Sequence, residues 1–133
     1  MKLLLALFVG LFITTFNLHT AQAEERYAAV NFYADWCGSC KILDPKVEEA
    51  RTGSDLEDIA FYTFDMSDSE SIARTKKLAA AESIDPLLQI YGAATGFLVL
   101  YDREKNEVVK TITSAYGTDD IKTEFHNLQE SKS

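Results

Sequence analysis

Two cysteines, Cys37 and Cys40, stand two residues apart and are the only cysteines in the sequence. An apolar segment, Tyr27–Tyr33, precedes them and is rich enough in Val, Phe and Tyr to predict a buried strand. After them, apolar residues recur at spacings of three and four over residues 42–50, which predicts a helix. Cys37 therefore falls at the first turn of that helix. There, free backbone N–H groups and the positive end of the helix dipole favour a thiolate.

A thiolate at Cys37 would be the nucleophile in disulfide exchange, and Cys40 could then attack the mixed disulfide and release the partner. Three other interpretations remain open. A purely structural disulfide would stabilise little, because so short a loop gives about 2 kcal/mol against roughly 4.7 kcal/mol for a loop of a hundred residues. A zinc site needs about four ligands, whereas residues 24–133 offer no third cysteine and one distant histidine, His126. Two inert buried cysteines would not need this spacing.

The run Trp36-Cys37-Gly38-Ser39-Cys40-Lys41, followed by a proline at position 45, resembles the thioredoxin superfamily. The preceding residues, 32–37, are most similar to the C-terminal periplasmic domain of the transmembrane thiol–disulfide interchange reductase. This resemblance is specific between about residues 31 and 45. It implies an oxidoreductase in which Cys37 attacks and Cys40 resolves, with reduction as the favoured direction. It also implies protein thiols and disulfides as partners, a membrane electron donor as a candidate further partner, and no cofactor beyond the Cys37–Cys40 couple.

The sequence departs from the family at two positions that bear on mechanism. Asn31 stands where the family usually has a buried aspartate, and an amide cannot take a proton from the second thiol. Asp44, one turn beyond Cys40, could replace that acid; a solvated helix residue is the competing interpretation, and Asp35 is the other candidate acid. Gly96, preceded by Thr95, falls where the family has a cis-proline, and we expect the peptide bond between them to be trans.

The remaining candidate site residues are those around the cysteines. We expect Trp36 to be an exposed lid on the cysteine pair, with a partly buried packing role as the alternative. Lys41 could add positive potential near the thiolates, although a solvated lysine fits equally well. Gly38 and Ser39 lie between the cysteines and do not by themselves fix the redox potential.

The first 23 residues predict a cleavable signal peptide. Lys2 gives a positive start, residues 3–16 are apolar, and Ala21-Gln22-Ala23 is a small-x-small cleavage site before Glu24. An uncleaved membrane anchor is the alternative, but the apolar run is shorter than the roughly 20 residues that a spanning helix needs. The sequence therefore predicts a thioredoxin-like domain at residues 24–133, exported to the periplasm or secreted, without stable membrane insertion.

The formal net charge of −8 becomes −9 without the leader, since the leader holds one lysine and no acid. An acidic exported domain is repelled by nucleic acid and by anionic lipid, so we expect neither as a partner. No repeat, low-complexity tract or linker divides residues 24–133, which predicts one domain, and we expect a monomer.

Apolar patterns and turn residues predict the order β-α-β-α-β-β-α, with a four-stranded mixed sheet flanked by helices, which is the core of the thioredoxin fold. The second strand is nearly continuous in apolar residues, as a central parallel strand would be. Asp68 or Ser69 is the predicted cap of the second helix, and Thr118 is the predicted cap of the last one. The predicted strands are 27–33, 59–65, 97–101 and 108–113, and the predicted helices begin at about 39, 69, 87 and 119.

Residues 79–91 exceed the usual length of this part of the family and are interpreted as an insertion. Together with the missing cis-proline and the missing buried acid, the insertion motivates an alternative function. The chain could be a binding or adaptor module with a thioredoxin fold and with weak or absent redox activity.

Overall fold

The computed structural model describes residues 25–52 and 54–131, so the predicted leader lies outside the described residues. Strands and helices follow the predicted order, with the second helical region divided in two. No helix in the described part of the chain is long and apolar enough to cross a membrane. The elements are β1 (Tyr27–Tyr33), α1 (Gly38–Arg51), β2 (Ile59–Asp65), α2 (Ser69–Ala81), α3 (Pro86–Tyr91), β3 (Phe97–Asp102), β4 (Glu107–Thr113) and α4 (Thr118–Glu130).

The four strands form one mixed sheet in the order β2-β1-β3-β4, which confirms the predicted fold class. β1 runs parallel to β2, and β3 runs antiparallel to both β1 and β4. The prediction that β2 is a central strand is wrong, because β2 lies at an edge and pairs with β1 alone. Its apolar run has another cause: Phe61 packs into the core on one face of the sheet and Phe64 into the core on the other.

Two apolar cores lie on opposite faces of the sheet because successive side chains of each strand point to opposite sides. One core joins α1 and α4 to the sheet, and its largest buried members are Tyr27, Leu43, Leu98, Leu100, Ile112, Ile121 and Phe125. The other joins α2 and α3 to the sheet, and its largest buried members are Phe32, Phe64, Ile84, Leu87 and Tyr101. The central strand β1 is thus covered on both sides, and its carboxyl end leads directly into the cysteine pair.

The segment interpreted as an insertion is part of the second core. Ile84 and Leu87 are completely buried. The ring of Tyr91 packs against Phe32 and Phe97 with centroid separations of 5.2 and 5.0 Å. The segment therefore covers one face of the sheet.

The N-termini of α2 and α4 show one prediction confirmed and one wrong. Of the two predicted caps of α2, Asp68 is the one observed, since its Oδ1 accepts the Ser71 N–H at 2.8 Å. The cap of α4 is Gly117 and not Thr118, which is the first residue inside the helix. Asp120 Oδ2 accepts the Gly117 N–H at 2.8 Å, so a side chain of the first helical turn satisfies the backbone of the cap residue.

Candidate active site

Cys37 and Cys40 form a disulfide at the junction between β1 and α1, with their Cα atoms 5.3 Å apart. Cys37 is the N-cap of α1, and its Sγ accepts the Cys40 N–H at 3.2 Å. A turn in which the Cys37 N–H donates to the Ala34 carbonyl at 3.1 Å brings the chain from the strand into the helix. The predicted position at the helix start is therefore confirmed, one residue before the first turn.

The two sulfur-bearing residues differ in exposure. Cys37 keeps 6% of its surface exposed and Cys40 keeps none. In the disulfide form an incoming partner can therefore reach Cys37 but not Cys40. The Cys37 sulfur also lies where the backbone N–H groups of the first turn and the helix dipole stabilise negative charge.

Gly96 packs directly against the cysteine turn, where sequence counting had placed it. A Cβ built on Gly96 would lie 2.9 Å from Ser39 Cβ and 3.5 Å from Cys37 Sγ. Its φ of +96° is a conformation that favours glycine, and the described residues contain no cis peptide bond, as we expected for Thr95–Gly96. The Gly96 N–H donates to the Phe32 carbonyl at 2.8 Å, and that oxygen lies 3.7 Å from Cys40 Sγ.

Asn31 of β1 and Asp44 of α1 are joined by a hydrogen bond. Asn31 Nδ2 donates to Asp44 Oδ1 at 3.0 Å, whereas Asn31 Oδ1 is buried and without a hydrogen-bond partner in the described part of the chain. Both residues line a cavity of about 170 Å³, which has room for several water molecules. Asp44 also lies on the helical face of Cys40, since residues four apart are neighbours on a helix. Of the two candidate acids, this arrangement favours Asp44 over the exposed Asp35.

The remaining predicted site residues lie on the outer surface around the disulfide. Trp36 is 63% exposed, as we expected for a lid. Gly38, Ser39 and Lys41 are exposed, and Thr95 is half-buried. Apart from its chain neighbours and the backbone of its own helix, no described residue lies within 4 Å of the position that a Cβ on Gly38 would take, so this glycine faces open space. The structure thus places all the predicted site residues at the carboxyl end of β1 or in the first two turns of α1, together with the loop before β3.

The comparisons with known proteins give the family. The sequence model described as thioredoxin matches residues 11–114, which is more than half of the chain. The chain belongs to the thioredoxin family. Thioredoxin-1 of Saccharomyces cerevisiae is 29% identical over 73 residues, which cover 55% of this chain and 69% of that protein. Thioredoxin H2-1 of Oryza sativa subsp. japonica is 30% identical over 89 residues, which cover 67% of this chain and 60% of that protein.

A solved structure, Trxlp from Edwardsiella tarda EIB202, shares the fold with a TM-score of 0.51 and 19% identity, covering 78% of this chain and 85% of that one. Together with the Cys37–Cys40 disulfide, the family makes this chain a thiol–disulfide oxidoreductase. Proteins of this fold act through their own redox-active disulfide without a cofactor. Within residues 25–52 and 54–131, no group of three or more His, Cys, Asp or Glu could hold a metal ion.

Sequence reasoning missed two residues of this thioredoxin site, Ser67 and Asp65. Ser67 accepts hydrogen bonds from the Asp35 N–H at 2.9 Å and, through its carbonyl, from Trp36 Nε1 at 3.2 Å. The Ser67 hydroxyl and N–H both donate to Asp65 Oδ1. The hydrogen bond from the Ser67 hydroxyl is the largest cause that lowers the pKa of Asp65 below its ordinary value, and the Ser67 N–H adds to it. No spacing pattern connects residues 31 positions apart, so a run of Asp and Ser after a predicted strand was the sole available signal.

Proposed function

We propose that this thioredoxin-family oxidoreductase is exported and reduces disulfide bonds of protein substrates. The observation that supports the reaction is the asymmetry of the pair: Cys37 is at a helix N-terminus with part of its surface exposed, and Cys40 is fully buried behind it. The local similarity of residues 32–37 to the periplasmic domain of the interchange reductase supports reduction as the direction. The apolar leader and its Ala-Gln-Ala end support export.

The reaction begins from the dithiol form of the pair. The Cys37 thiolate attacks one sulfur of the substrate disulfide, which forms a mixed disulfide and releases the other substrate sulfur as a thiolate that takes up a proton. The Cys40 thiolate then attacks the Cys37 sulfur, which breaks the mixed disulfide and releases the second substrate thiolate. The substrate gains two electrons and two protons, and Cys37 and Cys40 end as the disulfide seen in the structure.

Resolution by Cys40 requires that a fully buried thiol lose its proton, which is costly without a nearby acceptor. In our proposal Asp44 accepts that proton, because it lies one helical turn beyond Cys40 on the same face of α1. Asn31 cannot accept it but holds the carboxylate in place with its amide at 3.0 Å. This division of roles explains how an asparagine can occupy the position where the family usually has an acid.

A new cycle needs an external dithiol that reduces Cys37–Cys40. We propose a membrane-bound dithiol donor, since the glutathione and thioredoxin systems that keep thiols reduced act in the cytosol. This element of the proposal follows from the resemblance to the interchange reductase domain. Measurement of the Cys37/Cys40 redox potential against a glutathione series checks the direction: a reductase requires a value near the reducing end of the range, about −270 mV, and not near −120 mV.

Reduction of insulin by the dithiol form tests the reaction. We expect Cys37→Ser to abolish turnover, and Cys40→Ser to abolish turnover while accumulating a mixed disulfide with the substrate that is visible on non-reducing gels. The matched control is Ser39→Ala, which leaves both sulfurs in place. Wild-type protein no faster than Cys37→Ser would overturn the proposal.

Asp44→Asn tests the proton acceptor. We expect slower release from the mixed disulfide, by about 10²-fold, the lower end of what general acid–base catalysis contributes. The rate at which Cys37 forms that mixed disulfide should stay the same. Glu48→Gln is the control, because Glu48 is the next acid along α1 and lines the same cavity. Equal release rates for the two variants would exclude Asp44 as the acceptor.

Export is checked separately by the N-terminal sequence of the protein recovered outside the cytoplasm, which should begin at Glu24.

A further inference from the structure

The outer edge of strand β2 has no neighbouring strand in the described part of the chain. Backbone groups of successive strand residues point alternately to the two sides of the strand. Asp58 accepts the Tyr27 N–H at 3.1 Å, and the Met66 N–H donates to the Tyr33 carbonyl at 2.7 Å. Even-numbered residues of this stretch therefore face β1, and the odd-numbered residues from 59 to 65 face away from the sheet.

The fold itself closes both ends of this edge. At the start of β2, the Ile59 N–H donates to the Leu56 carbonyl at 3.0 Å. At its end, the Asp65 N–H donates to Thr75 Oγ1 at 3.0 Å, and Thr75 Oγ1 donates back to the Asp65 carbonyl at 3.1 Å. Side chains and turns thus use the outward groups at the two ends, and the open part of the edge is limited to residues 61–63.

Phe61 and Thr63 present the open backbone groups of this edge. The outward N–H and C=O of each have no hydrogen-bond partner within residues 25–52 and 54–131. Thr63 is exposed and Phe61 is half-buried. An extended peptide that lay beside β2 as an added strand would form a hydrogen bond to each of these groups. The edge therefore meets the main-chain requirement for strand addition.

Side chains of such an added strand would meet a cavity on one face of the sheet. Phe61 packs into the core that α1 and α4 cover, so the odd-numbered residues of β2 point to the α1 face. A residue paired with Thr63 would have its side chain on that same face. The cavity of about 170 Å³ near Asp44 lies there, and Phe61, Thr63, Asn31 and Glu48 also line it. The side chain opposite Thr63 would thus lie beside this cavity.

The groups that line the cavity favour a cationic side chain. Asn31 Oδ1 is buried and accepts no hydrogen bond in the described part of the chain, and Asp44 and Glu48 bring two carboxylates. Arg51 is a cation in the same wall, 4.1 Å above the Phe61 ring and 3.3 Å from Glu48 Oε2. One cation beside two carboxylates leaves oxygen acceptors for an ammonium group, which has three donors. The net charge of −9 without the leader also attracts a basic partner and repels an acidic one.

We propose that the outer edge of β2 binds an extended basic segment of a partner protein. The segment adds a strand beside residues 61–63 and places a lysine side chain opposite Thr63, next to the acceptor oxygens of the cavity. This inference goes beyond the proposed function, because strand addition requires no chemistry at sulfur. Its tests therefore measure binding to the oxidised protein without turnover, and their outcome is independent of disulfide reduction.

Fluorescence anisotropy with labelled, blocked heptapeptides tests the proposal on the wild-type protein. The probe alternates threonine and lysine. Methylation of the lysine nitrogens removes the N–H groups that would pair with β2 when the lysines face α1, whereas methylation of the threonine nitrogens removes N–H groups that face away. We expect the first change to weaken binding about tenfold or more and the second to have little effect. Equal affinities of the two methylated peptides, or no saturable binding of the unmethylated probe, would overturn the proposal.

Thr63→Pro removes one outward N–H from the protein, and Thr63→Val is the matched control that keeps it. A proline is tolerated at an edge position whose N–H faces solvent. We expect Thr63→Pro to weaken binding of the probe about three- to tenfold, the value of one lost hydrogen bond, and Thr63→Val to bind as wild type does. Equal affinities of the two variants would contradict strand addition. Should Thr63→Pro fail to fold, the methylated peptides decide the question, since they use the unaltered protein.

Glu48→Gln tests the choice of a basic partner, with Glu107→Gln as the control that removes the same charge. Glu107 is exposed at the start of β4, on the opposite edge of the sheet. We expect Glu48→Gln to weaken binding of the lysine probe about two- to fivefold and Glu107→Gln to leave it unchanged. A probe that alternates threonine and glutamate should not bind. Binding of the glutamate probe as tight as that of the lysine probe would refute the basic segment.

A second copy of the chain is the competing occupant of this edge. Sedimentation of the oxidised wild type and of Thr63→Pro distinguishes the two, and we expect both to sediment as monomers. A wild-type dimer that Thr63→Pro abolishes and that excludes the lysine probe would overturn the proposal in favour of pairing between two copies.

Discussion

Gly96→Ala should destabilise the oxidised protein far more than alanine at other glycines with positive φ. The cost has two parts. An L-residue at φ +96° is strained by about 1–2 kcal/mol. The new Cβ would also lie 2.9 Å from Ser39 Cβ, inside the optimal carbon separation of about 3.5–4.0 Å, and such overpacking costs about 1–3 kcal/mol. The free energy of unfolding should therefore fall by about 2–5 kcal/mol, a large share of the typical 5–15 kcal/mol.

Gly92→Ala is the matched control because it separates the two parts. Gly92 also has a positive φ, +59°, but in the described part of the chain nothing beyond its own chain neighbours lies within 4 Å of its Cβ position. Gly92→Ala should lower the free energy of unfolding by the backbone strain alone, about 1–2 kcal/mol. At about 4 °C of Tm per kcal/mol for a domain of this size, Gly96→Ala should unfold about 8–20 °C below wild type and Gly92→Ala about 4–8 °C below it.

A double-mutant cycle with Ser39→Gly then isolates the collision. Removing the Ser39 side chain should recover about 1–2 kcal/mol in the Gly96→Ala background, beyond the effect of Ser39→Gly alone. Thermal and denaturant unfolding of the four oxidised proteins, followed by circular dichroism, gives these energies. The reasoning is refuted if Gly96→Ala costs no more than Gly92→Ala, or if the cycle shows no coupling between positions 39 and 96.

Two further predictions concern side chains away from the disulfide. Burial raises the pKa of Asp102, but hydrogen bonds from Arg26 and from backbone N–H groups of the following turn outweigh burial and hold the pKa below its ordinary value. A lowered native pKa stabilises the fold above the unfolded value and less as pH falls below about 4. Asp102→Asn should therefore lower the free energy of unfolding by about 1.5–3 kcal/mol at pH 7 and by progressively less at acid pH. A difference from wild type that stays constant down to pH 3 in urea titrations would contradict this. Lys46 Nζ donates to two carbonyls of the loop before α4, at 2.8 and 2.9 Å. Lys46→Met should lower the free energy of unfolding by about 1.5–3 kcal/mol, whereas the exposed Lys77→Met should change it little, and equal urea midpoints would show that these bonds contribute nothing.

Most of the fold could be predicted from the sequence because it is encoded locally. The alternation of apolar runs, caps and turns gives the strands and helices within one or two residues, and the strand-to-helix junction places Cys37 at a helix start. The counting that led to Gly96 also succeeded, because β3 is short and its register leaves little freedom. The predicted position of β2 within the sheet was wrong. A strand covered by helices on both faces has the same apolar pattern at an edge as at the centre, so the pattern could not place β2.

The site was less predictable because its contacts are made between distant loops. Asp44 follows from helical spacing relative to Cys40, but its bond to Asn31 depends on how α1 crosses β1. Ser67 meets Trp36 only because β1 and β2 end at the same edge of the sheet. The small exposure of Cys37 also depends on packing, since it is set by the approach of Gly96 to the cysteine turn. Sequence spacing shows which residues are neighbours within one helix or strand and carries no information about these contacts between different elements.

Glycine at position 96 does more than leave room for the disulfide. A proline there would have no N–H to donate, whereas the Gly96 N–H donates to the Phe32 carbonyl at 2.8 Å and extends the pairing of β1 with β3 by one bond. The same carbonyl lies 3.7 Å from Cys40 Sγ, and a carbonyl oxygen has two lone pairs. In the dithiol form, it can accept the Cys40 S–H while keeping the Gly96 bond. The buried thiol then has a partner in its protonated state, and in our proposal it becomes a nucleophile when Asp44 removes the proton. In the proposed mechanism Gly96, the Phe32 carbonyl and Asp44 therefore act on the same step, which is the release of the substrate from Cys37.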